Sequence, residues 1–230
     1  MGGLEIAVGV VIQARMGSTR LPGKVMRPIG PLPLLGHILE RLRALRHSAK
    51  IVVATTTNTA DTAIEEYCEA QGTTCFRGSE LDVLSRYVEC ARRFDFQHVV
   101  RLTADNPFID AEELDRLIAL HLERASDYAS SLDGLPIGVG AEIFARALLE
   151  RSHEEGRAPH HREHVNEYVL ENLHLFKVAR LAVSPKKARP DVRLTVDTES
   201  DYRRACHIVA NARTTPVGTE EAIALCLRSA

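Results

Sequence analysis

The stretch from Val8 to Val25, VGVVIQARMGSTRLPGKV, constrains what the chain can fold into more than any other. Val8 to Ile12 are all apolar or Gly, the composition of a strand buried on both faces, and Gln13 ends the run. The loop that follows places Arg15, Arg20 and Lys24 among Gly17, Ser18, Thr19, Pro22 and Gly23. Cations and closely approachable backbone N–H groups therefore converge just past a strand end, which is chemistry for a polyphosphate.

The two commonest nucleotide loops do not fit these residues. A P-loop needs four residues between its glycines and a hydroxyl after its Lys. Here Gly17 and Gly23 enclose Ser18 to Pro22, one residue too many, and Val25 follows Lys24. A dinucleotide-binding G-x-G-x-x-G is missing too, because Gly2 and Gly3 precede the strand and Gly9 lies inside it.

Composition narrows the partners. A formal net charge of −2, from 29 basic and 31 acidic residues, gives no bulk attraction to nucleic acid or an anionic membrane, so a basic site must be local. No apolar run approaches the ~20 residues of a membrane helix. Met1 to Val11 lacks a basic n-region and a small-residue cleavage site, so the expectation is a cytoplasmic protein. The cysteines at 68, 75, 90, 206 and 226 contain no C-x-x-C, which argues against a disulfide framework and a cysteine zinc site. With 230 residues, 45% of them hydrophobic, one large α/β domain is the simplest organisation.

The hydrophobic period alternates along the first half. Leu34, Leu35, Ile38, Leu39, Leu42 and Leu45 predict a helix over 33–47; Ile51 to Ala54 is a strand; Asn58 or Thr59 caps a helix to about Gln71; Thr73 to Phe76 is a strand. Leu81, Leu84, Val88 and Ala91 share one face of a helix over 81–94, His98 to Leu102 is a strand, and a helix runs from Ala111 to Glu123. This order marks a parallel sheet wrapped by helices. From Ser126 the alternation loosens into an excursion to about residue 175: a strand at 127–131, a Gly/Pro-rich segment at 133–140, and helices near 144–152 and 160–172. Strands at 175–183 and 192–196, then helices at 201–212 and 220–227, complete the chain.

Polar residues gather after the strands, where open α/β sheets bind ligands. Asp105 in R-L-T-A-D-N-P and Asp197 in R-L-T-V-D-T each follow one. Mg²⁺ takes one or two carboxylates with phosphate and water, so the pair suffices for nucleotidyl transfer, although Asp is also a common helix cap. Asp82 and Arg86 are spaced to pair across one helical turn. His160 and His161 are adjacent and face different sides of a helix, which leaves only His160 and His164 on a common face and favours a structural or acceptor-contacting role over zinc.

The pattern A-R-x-G-S-T-R-L-P-G-K, Ala14 to Lys24, resembles the signature loop of the sugar-activating cytidylyltransferases of the 3-deoxy-manno-octulosonate and acylneuraminate type. Arg101, Thr103, Asp105, Pro107 and Asp110 match that family's R-x-T-x-D-x-P-x-x-D; Val196, Asp197, Thr198 and Asp201 match its V-D-T-x-x-D; Ala104 and Asn106 depart from its usual Gly and Cys. The resemblance implies a Rossmann-like three-layer nucleotidyltransferase fold with a mixed, mostly parallel sheet. It implies CMP transfer from CTP to a sugar-type acceptor, and a homodimer in contact through 126–175.

Residue by residue, the resemblance assigns nucleotide binding to Ala14, Arg15, Gly17, Ser18, Thr19, Arg20, Lys24 and Arg101, and gives Arg77 and Ser79 a base or ribose contact. Asp105 and Asp197 would hold Mg²⁺, with Arg15, Lys24 and Asp105 as the catalytic groups. Glu142 and the Arg162-Glu163-His164 segment would face the acceptor. The family's Asp at position 140 is Gly, which suggests a pocket better suited to an anionic acceptor. Transfer of another nucleotide to a sugar 1-phosphate, and a catalytically silent nucleotide-binding scaffold, are the alternatives.

Overall fold

The computed structural model describes residues 7–228; Gly2 and Gly3 lie outside them. Nine strands alternate with helices. β1 (Val8–Gln13) leads through a short hairpin, β2 (Pro28–Ile29) and β3 (Leu32–Pro33), to α1 (Leu34–Leu42). Next come β4 (Lys50–Thr56), α2 (Thr62–Ala70), β5 (Thr74–Gly78), α3 (Val83–Arg93), β6 (His98–Thr103) and α4 (Ala111–Arg124). The excursion contains β7 (Tyr128–Ser130), β8 (Glu142–Ala145), α5 (Arg146–Glu155), α6 (Pro159–Glu163), α7 (Glu167–Glu171) and β9 (Val178–Arg180). α8 (Glu199–Asn211) and α9 (Thr219–Arg228) follow.

The main sheet has the order β5-β4-β1-β6-β8-β7-β9, in which β8 alone runs against its neighbours. β1 is paired in parallel on both edges, to β4 and to β6, so the chain reverses its direction of travel across the sheet at β1. That reversal opens a crevice beyond the C-terminal ends of β1 and β6. Alternate residues face opposite layers, as the period of a strand requires. Val10, Ile12, Val53, Val100 and Leu102 pack with α1, α4, α8 and α9, whereas Val11, Val52, Ala54 and Val99 pack with α3 and α5. Gly9 is needed inside β1 because a Cβ there would lie 2.1 Å from the ring of Phe96.

The sheet core follows the hydrophobic period, and the departures have local causes. Leu81 is not on the apolar face of α3 but 88% exposed: Asp82 caps the helix by accepting the Ser85 amide, so Leu81 falls before its first turn. Arg86 is buried and donates to Ser79 O rather than pairing with Asp82, which instead accepts Arg162. The single helix expected at 160–172 is broken into α6 and α7 by the extended backbone of His164. Residues 192–196 make one parallel bridge, Arg193 with Ile137, and no ladder, and the strand expected at 175–183 shortens to β9. The helix expected near 144–152 begins at Arg146, as α5, because Glu142–Ala145 pairs with β6 and β7 as β8, a strand not expected there.

A buried His pair links β6 to α4. His98 Nδ1 lies 2.8 Å from His121 Nε2, and Ser126 Oγ lies 2.9 Å from His121 Nδ1. Burial, then the facing His98, lowers the His121 pKa to about 4, against a smaller opposing effect of Asp127. His121 is thus neutral in the fold but protonated in the unfolded chain as pH falls below its ordinary 6.5, so stability drops through that window. Urea unfolding should show a loss of about 3 kcal/mol between the two pKa values. His121→Gln should remove that part of the slope; an unchanged slope would assign it to other groups.

Candidate active site

The loop after β1 is shaped by its own hydrogen bonds. Met16 O accepts the amides of Ser18 (2.9 Å) and Gly23 (3.0 Å), and Leu21 N–H reaches Ser18 Oγ (3.3 Å). Gly23 takes the left-handed φ of 66° that lets the chain turn into the short 3₁₀ turn Lys24–Met26. The amides of Gly17, Thr19 and Arg20 are donated to no protein acceptor among the described residues. These are free donors with three cations, Arg15, Arg20 and Lys24, in the same loop.

Two carboxylates meet the loop from opposite halves of the sequence. Asp105 follows β6, and Ala104 N–H donates to Gln13 O (2.8 Å), setting the two loops side by side. Val196 N–H donates to Asp105 O (2.8 Å) and so brings Asp197 to the same place. Lys24 Nζ lies 3.0 Å from Asp105 Oδ2, 3.0 Å from Asp197 Oδ1 and 2.9 Å from Val196 O. The two carboxylate oxygens are therefore separated by no more than twice the first of these distances.

Asp105 Oδ1 also accepts Thr103 Oγ1 (2.6 Å), while Asp197 accepts Arg20 Nη2 (3.1 Å) and Arg193 Nη2 (2.5 Å). Burial acts to raise the Asp197 carboxyl, but the Lys24 hydrogen bond and the charges of Lys24, Arg20 and Arg193 outweigh it and hold the group below its ordinary value. Arg41 fixes the chain behind Asp105. Buried in α1, it donates to Pro107 O (2.7 Å) and Val217 O (2.6 Å).

Around these groups lies a cavity of about 280 Å³. It is lined by Gln13, Arg15, Gly17, Ser18, Thr19, Arg20 and Lys24 from the end of β1 and the basic loop, by Arg101, Thr103, Asp105 and Asp197 from the end of β6 and the Asp197 segment, and by Val83, Glu163 and His164.

The cytidylyltransferase family profile matches residues 9–226, nearly the whole chain. Spore coat polysaccharide biosynthesis protein SpsF of Bacillus subtilis is 37% identical over 225 residues, covering 95% of this chain and 93% of that protein. The chain belongs to the cytidylyltransferase family. A cytidylyltransferase structure from Leptospira borgpetersenii superposes with a TM-score of 0.91 at 34% identity, covering 97% of this chain and 95% of that one. The 3-deoxy-manno-octulosonate cytidylyltransferase of Methylococcus capsulatus is 37% identical over 140 residues, 59% of this chain and 52% of that protein. The nucleotidyltransferase-type α/β fold with a mixed, mostly parallel sheet is thus that of the family.

Not every residue matched to the family's motifs reaches the cavity. Ala14 is buried and donates its amide to Ala54 O (3.1 Å). Arg77 holds the end of β4, donating to Thr56 O (2.9 Å), Asn58 O (2.7 Å) and Glu65 (2.7 Å), so its guanidinium is committed to structure. Ser79 Oγ accepts the Asp82 amide (3.0 Å). Neither Arg77 nor Ser79 lines the cavity, and nor does Arg162.

Glu142 does not face an acceptor. It is 1% exposed, and its carboxylate accepts Arg101 (2.6 Å), Tyr128 (2.5 Å) and Asn166 (2.9 Å). It acts on the cavity through Arg101. Gly140 is also interior: a Cβ there would lie 3.0 Å from Ser131 O, so an Asp at this position would press on backbone instead of adding a charge to the pocket.

His160 and His161, expected on different faces, both reach Glu171, at 2.7 and 2.8 Å. These three side chains could geometrically surround a metal. The Ala158 amide points at His161 Nδ1 (3.3 Å), however, which makes Nε2 a proton donor to Glu171 and not a ligand. The group ties α6 to α7.

Asp61 is the residue that the motifs did not indicate. It is 2% exposed and accepts the Met16 amide (2.7 Å), the Thr56 amide (3.3 Å) and the Thr56 hydroxyl, pinning the basic loop to the end of β4. Its only trace in the sequence is an acidic residue in a first helical turn. Asp61→Ala leaves buried donors unpaired and should destabilise the protein by about 2–3 kcal/mol in urea unfolding. A loss under about 0.5 kcal/mol would show that the loop is held by other contacts.

Proposed function

We propose that the chain transfers CMP from CTP to an acidic sugar, releases pyrophosphate, and depends on Mg²⁺. The observation that carries this reading is the convergence of Arg15, Arg20 and Lys24 with Asp105 and Asp197 on one cavity. Loop cations and unpaired amides suit the triphosphate, and two hard oxygen donors aimed at a single cation suit Mg²⁺. The relatives' names support the acceptor class: one protein acts on 3-deoxy-manno-octulosonate, another in spore coat polysaccharide biosynthesis.

In this mechanism the acceptor oxygen attacks the α-phosphorus in line, and the bond to the pyrophosphate oxygen breaks. Arg15, Arg20, Lys24 and the amides of Gly17 and Thr19 take up the charge that grows on the leaving β,γ-phosphates. Asp105 and Asp197 would hold Mg²⁺, which when bound neutralises phosphate charge. Arg101, fixed by Glu142, and His164 face the side where the acceptor enters, and holding that acceptor in line supplies the rest.

The reading includes a cytoplasmic homodimer joined through residues 126–175, where Leu132, Ile137, Leu170 and Leu175 are exposed. Nucleic acid and membrane have no place in it: among the described residues no helix is long and apolar enough to cross a bilayer.

Pyrophosphate release with CTP, UTP, GTP or ATP and 3-deoxy-manno-octulosonate or a related acidic sugar tests the reaction. Turnover should require CTP and stop on chelation of Mg²⁺; equal rates with the other nucleotides would reject the cytidylyl assignment. Lys24→Ala should weaken CTP binding by about 1–3 kcal/mol in calorimetry. An unchanged affinity would remove the loop from the site.

A further inference from the structure

All the carboxylate oxygens of Asp105 and Asp197 are engaged by protein donors. Asp105 uses Oδ1 for the Thr103 hydroxyl and Oδ2 for Lys24; Asp197 uses Oδ1 for Lys24 and Arg20, and Oδ2 for Arg193. Lys24 is not a loosely held surface charge. Its side chain is 11% exposed, and its three ammonium protons are matched by three acceptors, Asp105, Asp197 and Val196 O. Asp105 and Asp197 thus face three cations, Lys24, Arg20 and Arg193; Arg193 also lies 3.6 Å from Asp201, which Arg204 pairs in turn, so four cations meet three carboxylates.

A divalent cation reaching this place meets a net positive cluster and an ammonium already seated between its prospective ligands. We propose that Lys24 is the resident counter-ion of the aspartate pair, so that the free protein excludes a divalent cation and takes one up only together with the nucleotide. A triphosphate brings the missing negative charge. It offers Lys24 and Arg20 phosphate oxygens in place of carboxylates, and the carboxylates that they leave face the cation. Cation and nucleotide are then coupled ligands, each raising the other's affinity by the same factor. This rests on the nucleotidyl-transfer reading of the cavity and adds the order in which its parts assemble.

Equilibrium dialysis of Mn²⁺ against the whole protein tests the proposal without any turnover. Wild type should retain Mn²⁺ only when CTP is present. Lys24→Met, which keeps the length of the side chain and removes its charge, should bind Mn²⁺ without nucleotide at least about tenfold more tightly than wild type. Lys24→Arg, which keeps the charge, should show no such gain, and adding Asp105→Asn to Lys24→Met should abolish it. Thermal melting confirms that each variant is folded. Mn²⁺ retention by wild type alone, or a folded Lys24→Met no better than wild type, would overturn the counter-ion role. Calorimetry of CTP with wild type separates the two readings: CTP binding without the Mn²⁺ gain fails this inference alone, whereas no CTP binding fails both.

Discussion

The site depends on β1 being paired along both edges. Its ladder partners β4 and β6 run parallel to it, so the loops after β1 and β6 emerge on one side of the sheet and next to each other. The bond from Ala104 N–H to Gln13 O continues the β1–β6 ladder past the strand ends and carries the Asp105 backbone into register with the basic loop. A one-residue slip in that ladder would exchange Arg101 and Thr103, which face the cavity, for Val100 and Leu102, which are buried in the opposite layer. Register between two apolar strands thereby fixes the position of charged groups.

Opposite charge then joins what the ladder cannot reach. The segment carrying Asp197 makes no ladder with the sheet; it is held by backbone bonds to Ile137, by the bond from Val196 N–H to Asp105 O, by the buried Val192, Leu194 and Val196, and by Lys24 and Arg20. Surface ion pairs contribute little to stability, but this cluster is partly buried and its members share acceptors, so removing one leaves others uncompensated. The lowered pKa of Asp197 has the same origin and keeps the carboxylate ionised at neutral pH.

What the sequence shows of this arrangement follows the range of each interaction. Doubly buried strands and amphipathic helices announce themselves because their periodicity is local, and β1, β4, β6, α3 and α4 lie within a few residues of where the period places them. β8 does not, because four residues are too few to show a period; pairing with β6 and β7 makes them a strand. Loop chemistry at Arg15, Arg20 and Lys24 is legible from residue type. The internal use of Arg77 and Glu142 is not, since a motif records that a charge is present and says nothing about which way it points. Asp61 was invisible for the complementary reason: apart from the Thr56 hydroxyl its partners are backbone amides, which carry no residue identity.

Glu142 shows how the excursion and the main sheet act as one support for the cavity. Burial opposes the charge on Arg101, yet the Glu142 carboxylate beside it, with Tyr87 and Asp105, outweighs burial and raises the guanidinium's pKa. Tyr128 from β7 and Asn166 from the turn between α6 and α7 donate to that same carboxylate. Asn166 is two residues beyond His164, which lines the cavity, and Glu171 holds His160 and His161 on the other side of that turn. Arg101 and the segment carrying His164, both on the cavity, are therefore referenced to a single buried carboxyl group. A chain that must hold two substrates in line gains from such an arrangement, because a displacement of either strains hydrogen bonds that have no water to replace them.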